Sequence, residues 1–435
     1  MKTTPYWWEE AEPQHGERRP DRDACDTLVV GAGYTGLSAA ITLAEAGVDN
    51  VVVVDARRVG EGASSRNGGQ LGNAPKFDLA YATRLFGPER GGEIMEDYAQ
   101  SMPFLLERAR TLTDPFDLTM NGTVISAHTR ADLDRLRQER DALPAEQRGN
   151  AELIPEQAIG TVLKTRIYRG ALLRHDQGSI HPAKYVAALA NRARALGVQI
   201  VTGLRYLGAT QGADGYTAIL REDAGTETFS LHAGRILLAV NGYAGPELPW
   251  LRQRTIPIQS YMIATEPRPF AEMEELIPGN RAVIDTKHIL YYFRRSPDGT
   301  RILFGGRARF RTSTEAESAV GLRAFMEHTF PSLKGIGITH SWSGNVCFAR
   351  DFVSHIGRTG DGIYYSSCCN GNGISMSTYL GHRAAQAMLD LPGHDRGVVN
   401  THFPRIPLYN GHPWFLPIVG SWYRFQDKYT RWRDR

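Results

Sequence analysis

Residues 26–56, DTLVVGAGYTGLSAAITLAEAGVDNVVVVDA, constrain the fold more than any other part of the chain. Leu28, Val29 and Val30 form a short apolar run suited to a buried parallel strand. Gly31, Gly33 and Gly36 follow in G-x-G-x-x-G spacing. The first glycine allows a tight turn, the second lets a pyrophosphate approach the backbone, and the third lets a helix sit close to the strand. Leu37, Ala40, Ile41, Leu43 and Ala44 recur at helical spacing, and Gly47 suits the helix end. Such a helix aims its N-terminal N–H groups and dipole at phosphate. Val51, Val52, Val53 and Val54 read as a second strand, closed by Asp55, an acid placed to accept hydrogen bonds from an adenosine ribose. Strand, helix, strand and terminal acid in this order read as a dinucleotide-binding unit. Asp55 argues against a 2′-phosphate and so against NADP, while NAD and FAD both remain open on this stretch alone.

A chain of 435 residues buries a large core and is expected to hold two domains. Its formal net charge is only +3, and lysine and arginine are scattered, so no nucleic-acid partner is suggested. The locally basic residues 307–311 are equally well explained as a strand edge. The four cysteines, Cys25, Cys347, Cys368 and Cys369, have neither disulfide-framework nor zinc spacing, so no metal site is expected and a reducing cytoplasm is favoured. The N-terminus lacks the apolar core of a signal peptide, and no apolar run is long enough for a transmembrane helix.

Residues 1–25 are polar, with Pro5, Pro13 and Pro20, and read as an extended arm anchored by Tyr6, Trp7 and Trp8. Residues 91–112 and 130–142 read as helices, and Asn121-Gly122 is a hairpin signal. Residues 169–203 read strand, loop, helix, strand, with Pro182 at the helix start and Gly197 at its end. Residues 250–310 are strand-rich, residues 315–330 return to helix, and a glycine turn at 370–373 leads into a helix ending near 390. The nucleotide unit is therefore expected in separated pieces: 26–90, 176–248 and 336–400. Residues 91–175 and 249–335 form a β-rich second domain, and 401–435 a tail. A simple NAD dehydrogenase keeps its unit contiguous, so the split leans toward a flavoprotein.

Two glycine-rich segments bear on the cofactor. Residues 57–73, RRVGEGASSRNGGQLGN, can wrap a long ligand closely, because glycine and serine let backbone N–H groups approach. Arg57 is placed to meet adenosine, Ser64, Ser65 and Arg66 to serve a pyrophosphate, and Asn67, Gly68 and Gly69 to reach toward a redox ring. The second segment runs through Asn370, Gly371, Asn372 and Gly373 into a helix, about 340 residues after the first turn. A second helix N-terminus can stabilise negative charge on a reduced flavin.

The motifs VVGAGYTGLSAA, VGEGASSRNGGQ, RGALLRHDQGSIHP, LLAVNGYAG, PIQSYMIATEP, LYYFRRSPDGTRILFGGR, SHIGR and NGNGIS span nearly the whole chain. Together they resemble the FAD-dependent oxidoreductases of the D-amino acid oxidase superfamily, nearest to the γ-glutamylputrescine oxidoreductase group. The resemblance implies FAD, an α/β fold with a split Rossmann-type FAD-binding domain, and a β-rich α+β substrate domain. It implies hydride transfer from a C–H beside an amine nitrogen, giving an imine that hydrolyses. It places Gly31, Gly33, Gly36 and Asp55 at ADP, and Ser64, Arg66, Asn67, Gly68 and Gly69 at pyrophosphate and flavin. Tyr206 falls near adenine, Asn241 and Gly242 near the pyrophosphate, and Asn370, Gly371, Asn372 and Gly373 by the flavin pyrimidine. The chain departs from the group at Cys368 and Cys369, where glycine and an aromatic residue are usual. It departs again at Asn372, where the group has histidine, and in NVCFARDF.

Three residues are candidates for chemistry or substrate contact. His181 precedes a helix and either faces the flavin or caps the helix. Tyr292 and Arg294 share one face of a strand, opposite Tyr291, and an arginine there can clamp a carboxylate. Cys347 lies about two residues out of register with the cysteine that carries flavin in some sarcosine-oxidase-like relatives, so a buried small residue is favoured over a thioether. Cys368 and Cys369 read as packed residues rather than a redox pair. RILFGG has no lysine where certain relatives place a cation for oxygen, which leans toward a quinone-type acceptor over oxygen. The aromatic and basic tail from His412 packs on the body or touches a membrane surface. A γ-glutamyl-amine or other small amine is the favoured substrate, with a D-amino acid or N-methyl amino acid as the alternative. A flavin-holding subunit of a larger complex is the reading from another class.

Overall fold

The computed structural model describes residues 1–223, 225–307 and 313–434, without the side chain of Lys428. Arg307 is thus the one described member of the basic run 307–311. Strand Ala24–Val30 lies between Val51–Asp55 and Thr228–Leu238, parallel to both. Gln199–Thr202 and Tyr364–Ser367 extend the parallel sheet on either side. Because strand side chains alternate, Val29, Val53 and Leu237 face one core, while Leu28, Val30, Val52 and Val54 face another. The first core is closed by helices Tyr34–Glu45, Pro182–Ala195 and Ser375–Met388. The second lies under the antiparallel ribbon Leu204–Gly212 and Gly215–Glu222. Both faces of the parallel strands are thereby covered, as their apolar runs require.

Helix Tyr34–Glu45 approaches its neighbours too closely for side chains at two points. A Cβ on Gly36 would stand 1.8 Å from the Gly31 carbonyl oxygen, and one on Gly381 would stand 2.1 Å from that of Thr35. The third fingerprint glycine thus serves helix–strand packing, and Gly381 does the same for two helices.

A second eight-stranded sheet runs in the order Ile338–Phe348, Ile256–Thr265, Ile302–Gly306, Tyr291–Arg295, Ala282–Asp285, Thr123–Ser126, Gly170–Arg174, Ala151–Pro155. One face packs Tyr261, Ile263, Phe293 and Phe304 against Leu322 and Met326 of helix Glu315–Thr329. The other face turns Met262 and Tyr292 toward the first sheet.

Three expectations change. Strand Ile338–Phe348 pairs along its length with Ile256–Thr265, so residues expected in the nucleotide unit from 336 belong to the second sheet. Helix Pro88–Arg110, expected in the second domain from 91, buries Ile94, Tyr98, Met102 and Leu105 in the core of the first sheet. Asn121-Gly122 makes no hairpin. The Asn121 side chain donates to the Gly279 and Asn280 carbonyls, and the next strand runs parallel to Ala282–Asp285. The arm and tail both dock: Trp7 is fully buried, and helix Leu416–Arg433 lies across the second sheet's loop at 287–289.

Gly381→Ala tests the close helix contact. The added methyl has a backbone carbonyl in its place, so unfolding free energy should fall by about 2 kcal/mol or more, read by denaturant titration.

Candidate active site

The first turn and residues 57–73 are held together by polar contacts. Ser64 Oγ accepts from the Tyr34 amide at 3.1 Å, and the Tyr34 hydroxyl donates to the Ser64 carbonyl at 2.6 Å. Asp55 accepts from the amides of Ala32 and Arg57, both at 2.8 Å. Burial pushes its carboxyl up to about 6, against the pull of those two amides.

Carbonyl groups along residues 57–73 accept from buried side chains of distant segments. Trp342 Nε1 donates to Arg66 O at 2.8 Å, and Trp7 Nε1 to Asn67 O at 2.8 Å. Arg294 Nη1 donates to Gly69 O at 3.1 Å. Gln70 Nε2 donates in turn to the carbonyls of Val283 and Phe293. The Arg66 guanidinium stacks on Trp8, 4.6 Å from the ring centroid, and donates to Glu61 O at 2.7 Å.

These contacts wall a cavity of about 1130 Å³ between the two sheets. Of the expected residues, Gly31, Gly33, Asp55, Arg57, Ser64, Arg66, Asn67, Gly68, Tyr206, Asn241, Tyr292, Gly371 and Gly373 line it. The Tyr292 ring lies over Gly68, whose Cβ would meet it at 3.2 Å, and its hydroxyl is 2.9 Å from Ser260 Oγ. Burial pushes that phenol up to about 12. The lining also includes Lys76, Ser260, Met262, Lys287 and Tyr243, which the sequence did not single out. Lys76 follows the glycine-rich segment and reaches over Gly371; burial holds its ammonium below the usual lysine range. The strand RILFGG lacks a lysine, but the cavity does not.

Seven other expected or weighed residues stand behind the wall. Gly36 packs under Gly31, and Gly242 lies against the Cβ atoms of Asn345 and Cys347. Gly69, at φ +68°, has the Ile180 carbonyl 2.3 Å from its Cβ position. Asn370 bridges the Ala349 amide and the Cys368 carbonyl, and Asn372 donates to Ala74 O at 2.7 Å. Arg294 is 1% exposed and donates to the carbonyls of Gly69, Ile180 and Arg295, so its position suits bracing rather than clamping a carboxylate. His181 is the N-cap of helix Pro182–Ala195. Its Nδ1 accepts from the Lys184 amide at 3.2 Å, and its ring meets Trp7 edge-on.

The cysteines also sort by position. Cys347 and Cys368 are fully buried with sulfurs 3.5 Å apart and no disulfide between them, so Cys368 faces Cys347 in the core. Cys369 lines the cavity and accepts from Asn241 Nδ2.

Charge decides what such a cavity can hold. Arg57, Arg66, Lys76, Arg205, Lys287, Arg307 and Arg350 line it, against the acids Asp55 and Glu247. Lys287 is paired with Asp285, and Arg205 with Asp223 and Glu247, yet bases still outnumber acids along the lining. That excess suits an anionic ligand, and the volume exceeds what a small amine alone needs. Residues 26–387 match the family of FAD dependent oxidoreductases designated DAO. The chain belongs to that family.

Among curated proteins, the chain is 29% identical over 410 residues to the γ-glutamylputrescine oxidoreductase of Escherichia coli (strain K12), covering 93% of each. It is 28% identical over 416 residues to the probable oxidoreductase OrdL of Rhizobium meliloti (strain 1021), covering 94% of each. Among solved structures, glycine oxidase from Geobacillus kaustophilus superposes with a TM-score of 0.69 at 18% identity, over 89% of this chain and 98% of that one. The fold is that of the family: an α/β FAD-binding part beside a β-rich part. The chain is an FAD-dependent oxidoreductase acting on amines or amino acids. Its cavity fits the cofactor: the excess of bases suits a diphosphate, and the Asp55 carboxylate on the lining is the kind of acceptor a ribose uses.

His181 has a testable signature. Burial, then the Lys184 charge, lowers its imidazole from 6.5 to about 4. The unfolded chain therefore takes up this proton first, so the neutral ring's stabilisation is full above pH 6.5 and is lost as pH falls toward 4. His181→Asn supplies a side-chain oxygen to cap the helix in place of Nδ1 and removes the titration. Its melting temperature should fall less across that window than the native protein's, as followed by thermal unfolding at stepped pH.

Proposed function

We propose that the protein oxidises a γ-glutamyl-amine or another small amine at the carbon bearing the nitrogen. The likeness to γ-glutamylputrescine oxidoreductase over 93% of both chains supports this reading. The observation that carries it is the lining beyond the nucleotide residues. Ile258, Met262, Ile284, Phe348 and Val419 give the lining an apolar share, and Arg307 and Arg350 line the same cavity. Such a lining suits an aliphatic amine carrying a distant carboxylate.

The chemistry that bound FAD would supply is acceptance of a hydride from the carbon beside the nitrogen. The chain's own residues bind and orient. Gly31, Gly33 and Asp55 would hold the adenosine diphosphate half, with Arg57 and Tyr206 at its adenosine end. Ser64, Arg66, Asn67, Gly68 and Asn241 would line the pyrophosphate and the near side of the flavin, and Gly371 and Gly373 its pyrimidine side. Tyr292 would present its ring and hydroxyl to the amine. His181, Arg294, Gly36, Gly69, Gly242, Asn370 and Asn372 support these residues from behind. An amine arriving neutral needs no side-chain base. Oxygen or a quinone-type compound would be the final electron acceptor.

Asp55→Ala removes the ribose acceptor and the carboxylate that orders two amides. FAD affinity should fall about tenfold or more, read by flavin fluorescence on titrating the FAD-free protein. The function itself is read from anaerobic spectra of the holoprotein with a substrate panel. γ-Glutamylputrescine should bleach the flavin band fastest. Faster bleaching by a D-amino acid or sarcosine would transfer the assignment to that class. A flavin that no amine bleaches would point to a flavin-holding subunit.

A further inference from the structure

The C-terminal helix Leu416–Arg433 has two apolar sides. Its inner side places Leu416, Val419 and Tyr423 on the cavity wall. Asp427 on the same helix accepts from the amides of His288 and Ile289 at 3.0 and 3.1 Å, and Tyr423 stacks on His288. Asp434 accepts from the Arg130 amide and from Arg169. The outer side carries Ile418, Trp422, Phe425, Tyr429 and Trp432, exposed by 66, 56, 57, 46 and 69%. Trp422 and Phe425 stack on each other, and Phe425 on Tyr429. At helical rise, the stripe from Ile418 to Trp432 runs about 21 Å. Monomeric proteins rarely leave a continuous apolar surface of this kind uncovered.

We infer that this outer face seats the protein on an anionic lipid surface. The charge distribution selects that occupant. Residues 416–434 hold Arg424, Lys428, Arg431 and Arg433 against Asp427 and Asp434. Both acids are engaged by the body of the protein, so the outer face combines aromatic rings with the exposed bases Arg424 and Arg433. Aromatic rings with flanking arginines match the acyl–headgroup boundary of a bilayer carrying negative headgroups. A second copy of the same face would oppose base to base with no acid to pair. No described helix is long and apolar enough to cross a membrane, so the contact is a seat on the surface. The seat also brings the lipid against the helix that closes one side of the cavity.

The test floats the FAD-loaded full chain with vesicles of phosphatidylcholine plus phosphatidylglycerol, or of phosphatidylcholine alone. The native protein should float with the mixed vesicles, and raised salt should weaken this. The variant W422S/F425S changes only outward-facing rings. It should retain its melting temperature and amine-dependent bleaching while its vesicle partition falls about tenfold or more. Native protein that stays unbound to the mixed vesicles overturns the inference, as does a double variant that floats equally well. A native dimer that W422S/F425S converts to monomer overturns it in favour of a self-association face.

Discussion

The site depends on how the carbonyl groups of residues 57–73 are satisfied. A glycine-rich segment has little side-chain packing of its own to hold it, and buried carbonyls without donors are costly. Here the donors come from far along the chain: Trp7 from the arm, Trp342 and Arg294 from the second sheet, and Tyr34 from the first helix. Each donor is itself buried, so the segment is fixed by four parts of the fold at once. Its small side chains and backbone are thereby presented to the cavity in one arrangement, which is the condition for orienting a bound cofactor.

The same bonds join the two sheets. Gln70 reaches the carbonyls of Val283 and Phe293, and the adjoining Gly69 meets Ile180 next to the helix cap at His181. The arm is part of this joint, since Trp7 meets the His181 ring and Trp8 donates to Ser65. The cavity is a seam between two sheets whose relative position is set by side-chain bonds to backbone. A diphosphate bound in the seam would repay the desolvation of its bases, and two amides meet the buried Asp55 carboxylate.

What the sequence made legible was local. The βαβ unit, its glycines and the shared face of Tyr292 and Arg294 all follow from spacing, and spacing survives folding. What it hid was partnership. His181 and Arg294 are residue types that perform chemistry, but here the Arg294 guanidinium and His181 Nδ1 meet backbone, and His181 Nε2 is buried without a partner. Asn121-Gly122 has hairpin composition, yet the Asn121 side chain donates instead to the carbonyls of Gly279 and Asn280, far along the chain. The unit boundaries at 91 and 336 failed for a related reason. A helix or strand carries its own period but not the name of the sheet it joins. Lys76 gave no signal, since an isolated lysine after a loop reads as solvent-facing.

The C-terminal helix shows how one element can serve two surfaces. An amphipathic helix ordinarily has one apolar side, and its other side faces water. Here the inner side is short, bounded by Leu416 and Tyr423, and the rest of the docking is polar, through Asp427 and Asp434. Polar docking leaves the long aromatic side unpaired while holding the helix against the cavity. Apolar docking on that side would have buried Trp422 and Phe425 instead and left the acids facing out. The division of charge along this helix therefore fixes both which side closes the cavity and what chemistry the protein shows to its surroundings.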